Sequence, residues 1–317
     1  MYLDHLRNNA MASAAATAAP SVSFMDCMEA ALYCTEVHSA ADAYLIKAEA
    51  TYMSSAAEDG EGAAKEGFWA KIKKVFQKMW DAIVGLGKKV VSFIKNTVKP
   101  KVTKIFKKIA VKWQALGMKG KLEKYKDATP DAAKLKDVKY IDGNAAAAEF
   151  KKIIDDLAKH APRNTETQDD SEIKVQDIVN GLPSASKTDA SYMRDASSLK
   201  YGDISAMVND ITSGKSVTDI LKVVNEAEAI CNNVTKYMGT AKETMKKAEK
   251  EGSEGLAKGA MNTLRKCRTF LTAASIIGNH AGSCAVGVIL SQAKAVNAWF
   301  SACNKGKSEE KKADDKK

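Results

Sequence analysis

At 317 residues with only five prolines and a formal charge of +10, the chain is long enough for two or three domains and too basic to be indifferent to anions. Alanine-rich runs and few β-branched clusters between turn signals predict an all-α protein. The six cysteines form no CxxC pair and no dense framework, which excludes a zinc ribbon and a disulfide scaffold and leaves reduced thiols as the expectation.

Charge is segregated along the chain. Residues 1–64 hold nine acids against Arg7 and Lys47, a net −7. No apolar core follows a basic start, so no secretory signal is expected. An amphipathic helix is predicted over about 22–53, with Met25, Met28, Leu32 and Ile46 among its apolar positions. Residues 1–62 thus read as an acidic amino-terminal helix and a linker, small and acidic over 54–62. This block either masks the basic stretch behind it or is a helix with an acidic solvent face.

Residues 65–126 carry eighteen lysines against Glu66, Asp81 and Glu123, a net +15 in 62 residues. Three of the four tryptophans fall there too. Phe68, Ile72, Val75, Phe76, Met79, Ile83, Leu86, Val90, Phe93 and Ile94 recur at three- and four-residue steps and line one helical face. Gly85 and Gly87 predict a bend, and Pro100 splits the segment. Beyond it Val102, Ile105, Phe106, Ile109 and Trp113 repeat the pattern. A basic, aromatic, amphipathic helix suits a phosphate backbone or an anionic lipid face. The residues expected to meet it are Lys71, Lys73, Lys74, Lys78, Lys88, Lys89, Lys95, Lys101, Lys104, Lys107, Lys108 and Lys112, with Phe68, Trp69, Trp80 and Trp113. Lysine in place of arginine suits diffuse electrostatic contact and argues against base readout. The plain alternative is a helix that packs its apolar face on the rest of the protein.

Residues 127–215 read as short helices. Asn144 is a candidate cap for a helix carrying Phe150, Ile153, Ile154 and Leu157 that stops before Pro162. A polar connector follows over 163–170, then a short helix from Ser171 to Gly181-Leu182-Pro183. Asp203 is a candidate cap for another helix, with Ile204, Met207, Val208 and Ile211, ending at Gly214.

From Ser216 to 304 the pattern predicts a long antiparallel helical hairpin. Its first seam is Val217, Ile220, Val224, Ala227, Cys231, Val234, Met238, Ala241, Met245 and Ala248, stepping as a heptad coiled coil does. A break at Gly252-Ser253-Glu254-Gly255 separates it from a second seam of Leu264, Cys267, Leu271, Ala274, Gly278, Ala281, Ala285 and Val288. Residues 269–293 hold no charge, and Gly278 and Gly282 are spaced as GxxxG. Asn279, His280 and many small residues favour a buried helix over a membrane span. Residues 305–317 form a charged tail expected to be disordered.

Few chemical motifs survive inspection. Gly214-Lys215-Ser216 ends like a P-loop, but Asn209 stands where its first glycine belongs, and a helix stop followed by a cap at Ser216 accounts for it. Cys34 with His38 and His280 with Cys284 are i,i+4 pairs that would form a Cys2His2 set if the two helices touched. Small polar residues in helix interfaces are the simpler account, and no metal, other cofactor or catalytic constellation is expected.

The layout resembles the internal head or prohead core proteins of large tailed bacteriophages, in which an expendable acidic amino-terminal helix precedes a body released by a maturation protease. The resemblance covers the first 126 residues. It implies a cut after Glu58, where Ala56-Ala57-Glu58 fits the short cleavage pattern; Ala147-Ala148-Glu149 fits as well but is predicted helical. The stretch GFWAKIKKVFQKMWDAIVGLGKKV is also similar to cationic membrane-active peptides of the cecropin kind.

The leading expectation is therefore a non-enzymatic virion protein, made in the host cytoplasm and packaged in the phage head. It would contact packaged DNA or be ejected with it, beside other virion proteins and with self-association left open. A membrane-active or pore-forming protein using the same segment with residues 270–290 is the second reading, and a purely structural helical protein the third. The leading reading fails if the aromatic rings are sealed inside and every nearby amine is matched by carboxylates from elsewhere in the chain.

Overall fold

A run of 25 residues without a charge, 269–293, has to be covered by protein or by lipid. In the computed structural model, which describes residues 65–162, 177–178, 181–183 and 190–304, it is covered by protein. The expectations for residues 1–62, the connector, most of the helix after Ser171 and the tail lie outside the described residues. The protein is all-α. Among the described residues its main helices are α1 (Lys65–Phe93), α2 (Lys99–Ala115), α3 (Met118–Glu123), α4 (Gly143–Lys159), α5 (Tyr201–Ser213), α6 (Lys215–Asn232), α7 (Val234–Glu251) and α8 (Glu254–Asn304). Two three-residue strands, β1 (Lys139–Ile141) and β2 (Met193–Asp195), pair antiparallel with Tyr140 opposite Arg194. Sequence periodicity does not foretell them, because three residues are too few to show alternation.

Helix α8 is the axis of the molecule. Five consecutive residues, Phe270, Leu271, Thr272, Ala273 and Ala274, are buried, so the helix is covered on every side there. By length and composition it is apolar enough to cross a membrane, but 67% of the qualifying window is buried inside the protein. Its small residues allow close approach: a Cβ on Gly278 would lie 3.0 Å from Ala227 Cβ. Helices α6 and α7 run antiparallel along it, with the rings of Tyr237 and Phe270 edge to face at 5.1 Å. The connection falls at Gly252 (φ 64°) and Ser253.

Both predicted seams are buried throughout. The first is interrupted at Asn233, whose side-chain amide donates to the Ala229 carbonyl at 2.9 Å. The helices that carry the seams also pack on α1, α4 and α5, so the three-and-four spacing here serves a bundle core with several neighbours.

Local chemistry corrects three expected caps. The carboxylate of Asp142, two residues ahead of Asn144, accepts the N–H groups of Asn144 and Ala145, both at 3.1 Å, and starts α4 at Gly143. Asp203 sits at the third position of α5 and accepts the Lys200 N–H at 2.9 Å. Ser216 is not a cap but the second residue of α6, its N–H held by the Asp210 carboxylate at 2.9 Å. Gly214 does end α5, with φ 71°, and a Cβ there would meet the Phe106 ring at 2.4 Å. The Gly-Lys-Ser sequence is thus fully used in joining two helices and seating one aromatic ring.

Candidate polyanion-binding surface

The basic segment is not the separate unit expected from its charge; its apolar stripe is part of the one core. Eleven residues of the stripe are buried: Phe76, Met79, Ile83, Leu86, Val90, Ile94, Val98, Val102, Ile105, Ile109 and Trp113. So many large side chains at helical spacing, each stabilising by about 1.5–3 kcal/mol when covered, are not left in water. Helix α1 continues without a break through Gly85 and Gly87, and Gly87 lets its backbone approach the junction of α6 and α7, where a Cβ would stand 3.0 Å from Val234 Cγ1 and 3.1 Å from the Cys231 carbonyl.

Pro100 does not split the segment either. Between α1 and α2 the chain winds as a π-helix over Ile94–Val98, where the Lys99 N–H bonds back to the Ile94 carbonyl, and Pro100 sits in the first turn of α2. The stripe explains the widening. From Phe76 to Trp113 the eleven buried residues make ten turns over 37 residues, whereas an α-helix takes about 36. The one surplus residue amounts to about 100° of rotation, and the π turn absorbs it. Both halves of the stripe therefore face the same core.

The opposite side of this long helix is lysine. Lys73, Lys74, Lys78, Lys88, Lys89 and Lys95 are exposed along α1 and the π turn, and Lys104, Lys107, Lys108 and Lys112 along α2; Lys101 is half-buried. The side chains of Phe68 and Lys71 lie outside the described residues. Lys73 is paired with Glu249 of α7 and Lys99 with Glu228 of α6. Lys104, Lys108 and Lys112 follow one another at four-residue steps and so lie along one face of α2.

The aromatic residues expected beside these amines divide. Trp113 is 1% exposed and belongs to the core, so its indole is not on the lysine surface; it lies on the stripe, at the four-residue step after Ile109. Trp69 and Trp80 are half-buried, and Trp80 stands 6.2 Å from Phe76. The ammonium of Lys242, on α7, lies 5.8 Å from the centre of the Trp80 ring. Lys242 is outside the segment that charge counting singles out; the only signal for it is the four-residue repeat Lys242, Lys246, Lys250.

The other candidate residues offer less. Cys34 and His38 are outside the described residues, and no group of three or more His, Cys, Asp or Glu side chains suited to a metal occurs among the described ones. Cys284 is buried and His280 partly so. Burial pushes the thiols of Cys231 and Cys267 up to about 12, which keeps them protonated and poor nucleophiles at neutral pH. Glu58 also lies outside the described residues.

Compared with protein-family models, with curated proteins and with solved structures, the chain matches none. What defines it is its own architecture: an all-α bundle around one long apolar helix, bearing a single-sided row of lysines on its surface.

Proposed function

We propose that this protein binds DNA through the phosphate backbone, without catalysis, as an internal component of a phage head. The observation that carries the DNA reading is the division of the basic segment: its apolar half is spent on the core, and its lysine half faces out. A polyanion needs only the lysines. An interfacial membrane helix needs the apolar face as well, and Phe76, Met79, Ile83 and Trp113 reach lipid only if the bundle opens. Phe76 and Trp113 are sealed in the core while Trp69 and Trp80 stay half-buried, and a net +15 over residues 65–126 favours an external counter-charge. The head assignment rests on the layout of residues 1–126, an acidic block joined to a basic one through a linker containing Ala56-Ala57-Glu58.

Equilibrium binding of the full chain to duplex DNA of mixed sequence, at several salt concentrations, tests the first part. Affinity is expected to be sequence-independent and to fall steeply with salt. Replacing Lys74, Lys78, Lys88 and Lys107 with glutamine is expected to flatten the log–log slope by up to about 3.6, since each phosphate contact contributes about 0.9. Leakage of anionic vesicles at protein concentrations that leave DNA unbound would overturn the reading in favour of membrane activity. For the head assignment, mass spectrometry of purified particles is expected to find the chain beginning at Asp59; its absence from particles refutes packaging.

A further inference from the structure

We infer that the anion-binding surface continues beyond residues 65–126, across the seam between α1 and α7, so that one DNA backbone is held by both helices. The inference rests on the DNA reading above and adds residues to it. Three contacts fix the seam. Gly87 lies against Val234, Trp80 against Lys242, and Lys73 against Glu249. As numbers rise along α1 they fall along α7, so the two helices run antiparallel from Gly87 to Lys73, a length of about 21 Å at 1.5 Å per residue.

Charge on the second helix points the same way. Residues 234–268, which form α7 and the start of α8, hold nine basic side chains against Glu243, Glu249, Glu251 and Glu254, a net +5 in 35 residues. Residues 127–233, by contrast, hold nineteen acids against thirteen bases, a net −6. On α7 the ammonium groups of Lys242, Lys246 and Lys250 recur every four residues and form one exposed row. Lys242 already lies over Trp80, which places this row along the seam, and Glu249 is turned across the seam onto Lys73.

The result is a strip with lysines on both banks and a half-buried indole between them. Helix axes packed this way are about 8–10 Å apart, and Gly87 permits the close approach. A strip about 21 Å long covers roughly six base-pair steps of the duplex axis at about 3.4 Å each. The ligand class is a linear polyphosphate, here a nucleic-acid backbone, and the contact is independent of base sequence.

The test compares salt slopes of duplex-DNA binding for the full-length protein, for K242Q/K246Q/K250Q, and for the same three positions changed to arginine. All three side chains are exposed, and circular dichroism checks that the helices persist. The glutamine variant is expected to lose up to about 2.7 from the slope, about 0.9 per contact, and the arginine variant to keep it. A glutamine variant with the unaltered slope, while the variant at Lys74, Lys78, Lys88 and Lys107 loses its share, overturns the two-helix surface and leaves DNA binding by α1 and α2 standing. An unaltered protein that shows no salt-dependent DNA binding refutes the functional reading itself.

Discussion

Removing the surplus residue from the π turn tests whether register, and not the proline, is what the wide turn serves. Asn96 is exposed and gives only a surface hydrogen bond to Ser92 at 3.1 Å, so its deletion removes little packing. With 36 residues from Phe76 to Trp113 a plain α-helix would keep Ile94, Val98, Val102, Ile105, Ile109 and Trp113 on the core side. Pro100 would then lie in a helix interior, where it costs about 3 kcal/mol. Deleting Asn96 alone is thus expected to destabilise by about 3 kcal/mol, and adding Pro100→Ala to restore stability to within about 1 kcal/mol. A deletion of exposed Lys107 serves as the control, because no wide turn follows it. It rotates Ile109 and Trp113 by about 100° away from the core, and losing two large buried side chains costs about 3–6 kcal/mol, much of a typical total of 5–15. Urea unfolding followed by circular dichroism reads all three. If the Asn96 deletion with Pro100→Ala is as unstable as the Lys107 deletion, the register argument is wrong.

Other outcomes follow from close contacts and burial. Gly143→Ala places a methyl 2.5 Å from Ser216 Cβ and 2.9 Å from Val288 Cγ1, so it is expected to lower stability by about 1–3 kcal/mol despite alanine's better helix propensity, as measured by urea unfolding. Asp142→Ala removes the cap of α4 and is expected to cost about 0.5–2 kcal/mol, whereas Asn144→Ala costs clearly less, a ranking that thermal melts resolve. For Cys231 and Cys267 the folded thiol titrates at about 12 against 9.0 when free, so their contribution to stability is complete below pH 9 and is lost as pH rises from 9 toward 12. The melting temperature should therefore fall between pH 8 and 10 less steeply in Cys231→Ala/Cys267→Ala. In a Cys27→Ser/Cys34→Ser background, a disulfide reagent at pH 8 should react with the remaining thiols only on unfolding.

Much of this protein is written in one dimension. The three-and-four spacing of apolar residues determined the all-α class, the stripe from Phe76 to Trp113, both seams of the hairpin and the turn at Gly252, because each depends on a period that a helix repeats along its own axis. The outward lysine face follows from the same count, since residues off the stripe have nowhere else to point. Tertiary structure alone decided what the stripe packs against, and with it that Trp113 is core while Trp80 lies in a seam beside Lys242. It also decided that Gly87 serves a close helix approach, and that one extra residue before Pro100 winds into a π turn. These outcomes depend on distances between residues remote in sequence, such as Gly87 and Val234. Such distances are set by the summed burial of several helices around α8, and no local spacing encodes that sum.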